Sequence, residues 1–181
     1  QNWNAVVDKN GIIRVSGMAE DSITTDYFLN KGYKVDGVDC FTYAGNSSNI
    51  RQNYNNPNFK LFNEDICNTE KMIELCQMRS IDWVINFAAE THVDNSIKSC
   101  DAFIRSNIQG TKSLLEACKA SGAKYFHIST DEVYGDIHAG SFKEDDHLNP
   151  KNPYSATKTA AEHMVRAYAN TYGVEYLMVR P

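Results

Sequence analysis

Short apolar runs alternate with longer stretches of helical periodicity along almost the whole chain. The runs Ile12–Ser16, Lys34–Val38, Phe59–Phe62, Trp83–Phe87, Tyr125–Ser129 and Glu175–Val179 are brief and rich in β-branched and aromatic residues, which predicts strands. Between them, Thr25–Lys31, Thr69–Arg79, Asp101–Ser121 and Tyr154–Tyr172 repeat apolar positions at helical spacing. Strands and helices in strict alternation predict an α/β fold, a doubly wound parallel sheet with right-handed crossovers and helices on both faces. Ligands of such a sheet bind at the carboxyl ends of its strands, so the residues that follow each strand are the first candidates for a site.

The polar stretches Gly45–Asn58 and Gly135–Pro153 read as loops, the first with room for a short helical turn. Neither marks a domain boundary. Residues 11–181 are expected to form one domain, and residues 1–10 an N-terminal extension with no obvious place in it. A chain of 181 residues, 42% of them hydrophobic, can support one such core. Its 18 basic and 23 acidic side chains leave a net charge of -5, so there is no basic footprint for nucleic acid or an anionic membrane. Nor does any run of about 18 apolar residues suggest a membrane span. Cys40, Cys67, Cys76, Cys100 and Cys118 stand singly, without C-x-x-C pairs or histidines at ligand spacing. Reduced thiols, no metal site, a cytoplasmic setting and small-molecule or protein partners are the expectation.

Candidate chemistry begins where the first strand reaches a single glycine, Gly17, and turns into a helix, as a dinucleotide-binding fold does. The G-x-G-x-x-G turn that presses backbone N–H groups against a pyrophosphate is absent. Met18, Ala19, Glu20 and Asp21 stand in its place, and Glu20, Asp21 and Ser22 are residue types that cap a helix themselves; the two carboxylates would repel phosphate. Asp39 lies about 20 residues beyond Gly17, at the position where a carboxylate binds the ribose hydroxyls of NAD, although an isolated Asp at a strand end is more often a turn residue. Tyr154 and Lys158 form Y-x-x-x-K just after Pro153, which puts both on one helix face. A nearby ammonium, helped by a positive nicotinamide ring, would lower the phenol from about 10 toward neutrality and make tyrosinate a base.

The segment Ser129-Thr130-Asp131-Glu132-Val133-Tyr134-Gly135 follows the fifth strand. Two carboxyls crowded at one cleft separate into an acid and a base. Joint action requires the strand to end before Asp131, because strand neighbours face opposite ways; the plainer reading is a solvated acidic pair at a loop start. His127, Tyr125, Phe126 and Tyr168 read as core residues.

Taken together, "INFAAETHVDNSI", "SNIQGT", "FHISTDEVYGD" and "NPYSATKTAAEH" resemble the extended short-chain dehydrogenase/reductase family, most closely its dTDP-glucose 4,6-dehydratases. The resemblance runs from Gly11 to Pro181, and its most specific part is "STDEVYG". It implies a Rossmann-like, NAD-binding domain acting on a nucleotide sugar, with the substrate lobe largely missing, since the family continues beyond an Arg-Pro such as Arg180-Pro181. It places Gly17, Asp39, Cys40, Phe41 and Thr42, Asp65 and Ile66, Phe87, Ala88, Ala89, Glu90 and Thr91, and Ser106 along NAD. Thr91 and Thr130 would contact the sugar. Tyr154 would be the base for the 4-hydroxyl and Lys158 the ribose-binding lysine, with Asp131 as general acid and Glu132 as general base. A homodimer through two long helices is implied as well.

Because the glycine turn is altered and the lobe missing, activity of these residues alone is expected to be weak or absent. The alternatives are a non-catalytic, truncated relative serving as a dimerising or interaction module, and a sugar-nucleotide epimerase or decarboxylase, against which the Asp131-Glu132 pair argues.

Overall fold

The computed structural model describes residues 13–16, 22–42, 47–137 and 139–181. The opening ten residues and Gly17 to Asp21 lie outside the described residues. Among the described residues there are six strands, parallel within each ladder: β1 (Ile13–Ser16), β2 (Val35–Asp39), β3 (Phe59–Asn63), β4 (Trp83–Asn86), β5 (Lys124–Ile128) and β6 (Tyr176–Val179). The ladders run β1-β4-β5-β6 and β2-β3, and β2 lies against β1. The order across the fold is therefore 3-2-1-4-5-6, the Rossmann arrangement, and the direction of winding reverses between β1 and β4. All six strands coincide with the predicted apolar runs to within about one or two residues, the usual uncertainty of an element boundary.

Because the sheet is covered on both faces, consecutive residues of one strand enter different cores. In register, Val84 pairs with Tyr125 and Ile85 with Phe126. Val84 and Tyr125 join Leu114, Leu115, Val165 and Tyr168 on one face, while Ile85 and Phe126 join Phe28, Val35 and Phe59 on the other. The first core is roofed by α2 (Thr69–Met78), α5 (Thr111–Ser121) and α6 (Pro153–Tyr172), and α1 (Ser22–Asn30) contributes Phe28 and Leu29 to the second. Over β6 the second face lies open: Leu177 and Val179 are each 38% exposed. An open depression of about 1180 Å³ adjoins this edge, with Asp131, Tyr134, Phe142, Arg166 and Arg180 among its walls.

The predicted helix Asp101–Ser121 is not continuous. It consists of α4 (Asp101–Phe103), a π-helical segment Ile104–Gly110 and α5, with the separate α3 (Val93–Lys98) before it. The wider π turn coincides with a close approach, because a Cβ on Gly110 would lie 2.5 Å from Ile66 Cδ1. Helix α6 starts cleanly: Asn152 accepts from the Ser155 N–H, Ser155 returns a bond to the Asn152 backbone, and Pro153 fills the first turn, where no N–H is needed. This start sets the position of Tyr154 and Lys158. Among the described residues no helix is long and apolar enough to cross a membrane.

Candidate active site

The exit of β4, beside the reversal between β1 and β4, is braced by asparagine side chains. Buried Asn86, the last residue of β4, accepts from Ala88 N at 3.1 Å through Oδ1 and donates to Tyr125 Oη at 2.9 Å. Asn107, in the π segment, clasps the backbone of Glu90 from both sides: its Oδ1 accepts from Glu90 N at 2.9 Å and its Nδ2 donates to Glu90 O at 3.1 Å and to Thr157 Oγ1 at 3.0 Å. The strand exit Phe87-Ala88-Ala89-Glu90 is thereby held half-buried, and Thr91 emerges exposed beyond it. Ser106 sits half-buried beside Asn107. Neither Asn86 nor Asn107 is among the residues singled out from the sequence. The only signal was that both lie within quoted stretches, Asn86 in "INFAAETHVDNSI" and Asn107 beside Ser106 in "SNIQGT".

At the far end of the crevice, Asp39 closes β2 and its Oδ1 accepts from Phe41 N at 2.7 Å. That bond accompanies a left-handed backbone at Phe41, φ 48. Cys40 and Thr42 flank it in exposed positions. Burial, then the carboxylates of Asp65 and Asp39, raise the Cys40 thiol above its ordinary range. Asp65 binds its own neighbours, receiving Cys67 N at 2.8 Å and Arg105 Nη2 at 2.5 Å. Burial opposes its charge, yet these donors outweigh it and hold its carboxyl low. Buried Ile66 packs under Gly110.

The third group gathers at the exit of β5, which ends at Ile128, three residues before Asp131. Thr130 caps a one-turn 3-10 helix, Asp131–Tyr134, accepting from Glu132 N at 3.3 Å. The turn closes on Gly135, whose φ of 87 and approach to Asn149, where a Cβ would meet the carbonyl oxygen at 2.4 Å, admit no side chain. Asp131 is exposed and Glu132 half-buried. Glu132 Oε2 receives Asn152 Nδ2 at 3.0 Å, a contact that the sequence reading did not anticipate.

Across from this turn, α6 presents Tyr154 and Lys158, 8% and 5% exposed. Lys158 Nζ donates to Ile128 O at 2.6 Å, so it holds the end of β5. Burial lowers its ammonium to about 8, with Glu162 pulling the other way. The expected depression of the Tyr154 phenol relies in part on a nicotinamide charge, and the protein's own groups act the other way. Burial raises it, the charges of Glu132 and Asp131 add to the rise, and hydrogen bonding with Thr130 draws it back. The physical reason is burial first, with the two carboxylates adding a smaller push in the same direction.

Beneath these groups, Glu162 is fully buried and fully partnered. Ser129 Oγ donates to its Oε1 at 2.5 Å, Arg180 Nε to the same oxygen at 2.8 Å and Arg180 Nη2 to Oε2 at 2.6 Å. Arg180 also bonds the Tyr134 hydroxyl and lies over its ring, 4.8 Å from the centroid. His127, also fully buried, stacks on Tyr125, and its Nε2 has no partner among the described residues. Burial first, then the Lys158 charge, lower its imidazole to about 3. Between about pH 3 and 6.5 the unfolded chain therefore binds a proton that the folded chain refuses. Stability from this residue is complete above 6.5 and drains as pH falls, with a slope of up to about 1.4 kcal/mol per pH unit. Urea midpoints followed from pH 7 to pH 4 are expected to fall less steeply in His127→Gln; parallel curves would show that His127 carries none of the acid sensitivity.

The model of the family described as GDP-mannose 4,6 dehydratase matches residues 22–181. The chain belongs to this family. The Haloferax volcanii low-salt glycan biosynthesis protein Agl12 is 44% identical over 144 residues, 79% of this chain and 46% of that protein. A dTDP-glucose 4,6-dehydratase of Streptomyces venezuelae, DesIV, solved with NAD bound, superposes with a TM-score of 0.88 at 33% identity, covering 93% of this chain and 54% of that one. A UDP-glucuronic acid 4-epimerase from Bacillus cereus, solved with UDP-glucuronic acid and NAD, gives 0.84 at 33% identity, covering 93% and 55%. The chain thus spans about half the length of these relatives. The resemblance to the extended short-chain dehydrogenase/reductases and the Rossmann-like fold are both borne out, and the chain is a member of the nucleotide-sugar dehydratases and epimerases.

Proposed function

We propose that this chain is the cofactor-binding and catalytic half of a nucleotide-sugar 4,6-dehydratase, which converts a nucleoside diphosphate glucose to its 4-keto-6-deoxy product. The observation that carries the reading is the adjacent pair Asp131 and Glu132 on the Thr130-capped turn that follows β5, beside the α6 face of Tyr154 and Lys158, where Lys158 Nζ ties the end of β5 to α6 through Ile128 O at 2.6 Å. Oxidation at C4 needs one base. Elimination of water across C5 and C6 needs a further base and an acid, which an adjacent carboxyl pair supplies. The epimerase reading has the Bacillus cereus neighbour in its favour and leaves that pair without a task.

The donor set fits NAD. Lys158 is a buried ammonium that gives one of its three donors to Ile128 O, leaving two for a ribose diol. Ala88 and Ala89 keep the β4 exit low, and Asp39 stands at the adenosine end. When bound, NAD supplies the acceptor and then the donor for a hydride moved from C4 to C6 of the sugar. In this reading Tyr154 takes the 4-hydroxyl proton while Thr130 orients that oxygen and Lys158 fixes the ribose. The resulting 4-ketone acidifies the C5 hydrogen, which Glu132 removes. Asp131 protonates the 6-oxygen, and water departs. Thr91 contacts the substrate at the mouth of the crevice. Pairing of two copies through the long helices belongs to the same reading, and Ile97 and Ile104 offer exposed apolar contact nearby.

Protein that carries this half together with a substrate lobe, supplied with NAD and either dTDP-glucose or UDP-glucose, is expected to form the 4-keto-6-deoxy sugar nucleotide, and the 181 residues alone to do so weakly or not at all. In Tyr154→Phe the rate should fall by about 10²-fold or more. A product inverted at C4 without a ketone would overturn the dehydratase reading in favour of epimerisation.

A further inference from the structure

We propose that Asn152 is a positioning residue for Glu132, locking the turn that carries the acid and base onto the helix that carries Tyr154 and Lys158. The inference rests on the dehydratase reading and goes beyond it. The orientation of the Asn152 amide is settled by its own cap. Oδ1 accepts from Ser155 N at 2.8 Å, and the Asn152 backbone N donates to Ser155 Oγ at 3.2 Å. With the oxygen committed to the helix, the amide nitrogen is left to reach outward, and Nδ2 donates to Glu132 Oε2 at 3.0 Å.

Capping alone does not require asparagine here, because Ser, Thr and Asp cap about as well. Of these, Asp would set a second negative charge against Glu132, and a hydroxyl is shorter than the amide arm and has only one hydrogen to give. Asparagine both caps the helix and donates to the carboxylate. The same chain segment holds the turn at a second point, where Asn149 N donates to Val133 O at 2.9 Å, opposite the forced glycine at Gly135. The turn is therefore held at Glu132 and Val133 by residues 149–152, which end two residues before Tyr154. Oε2 of Glu132 is occupied by this bond, while its Oε1 has no partner among the described residues and is the oxygen available to take a proton. Proton removal at C5 can then follow oxidation at C4 without movement of the base.

Made in protein that carries the substrate lobe, two variants that keep the cap test this assignment. Asn152→Ser is expected to melt at the parental temperature and, on mixing with NAD and the sugar nucleotide, to develop reduced-nicotinamide absorbance at the parental rate. Formation of the 4-keto-6-deoxy product should fall about tenfold, the loss of one hydrogen bond to a charged group. Asn152→Asp should lose more, again with the first step preserved. If melting temperature and both steps fall together, Asn152 is a cap and nothing more; if product formation is unchanged, the contact is idle. Either result overturns the assignment while the parental activity leaves the dehydratase reading standing. A parental protein that makes no ketone overturns that reading, and the assignment with it.

Discussion

Glu132→Gln is expected to reduce formation of the 4-keto-6-deoxy product by about 10²–10⁴-fold while oxidation at C4 continues. The substitution keeps the side chain's length. Its amide oxygen can still accept from Asn152 Nδ2, and its backbone N–H still reaches the Thr130 cap, so the turn has every reason to persist. What disappears is the basic oxygen. Tyr154, on another element, retains its place, with its backbone N–H on Ser96 Oγ at 3.2 Å and its ring edge-on to Phe103. Rapid mixing that follows reduced-nicotinamide absorbance, with product ketone assayed in parallel, separates the two steps. Retention of product formation within a few-fold would remove Glu132 from the chemistry.

The second large effect is on stability. Arg180→Met leaves the Glu162 carboxylate fully buried with Ser129 as its one remaining hydrogen-bond donor among the described residues, and removing one member of a buried pair costs about 3–5 kcal/mol. A domain of this size is stable by only about 5–15 kcal/mol, so the urea midpoint should drop steeply. The double variant Arg180→Met with Glu162→Leu should recover most of that loss, because an apolar pair of similar volume no longer has to bury a charge. A single variant that unfolds like the parent would mean that water reaches Glu162. Loss of Arg180 also releases Tyr134, so the turn bearing Asp131 and Glu132 should loosen together with the network.

Most of the fold was legible because both faces of a parallel sheet are buried. Strands such as Trp83–Asn86 and Lys124–Ile128 therefore read as mostly apolar runs, with neither face left polar, against polar, amphipathic neighbours. The helix predicted over Asp101–Ser121 was legible as a helix, but its π segment was not. Local periodicity barely distinguishes an α from a π turn, and what accompanies the wider turn is the contact of Gly110 with Ile66, distant in sequence. Asp65 illustrates the same limit, since its side chain is held by Arg105, 40 residues away.

At the site, the identity of the chemical groups could be read along the chain. The acidic pair after β5, the Tyr154 and Lys158 face of α6 and the carboxylate ending β2 are all local features, carried by spacing within one element. How those groups behave is set by contacts made on folding. Asn86 and Asn107 brace the β4 exit, Asn152 joins base to helix, and the Tyr154 phenol is raised by burial, with the charges of Glu132 and Asp131 adding to it. Those effects depend on distances between elements far apart in the chain, and electrostatics and hydrogen bonding act through space, whatever the order of residues along the backbone.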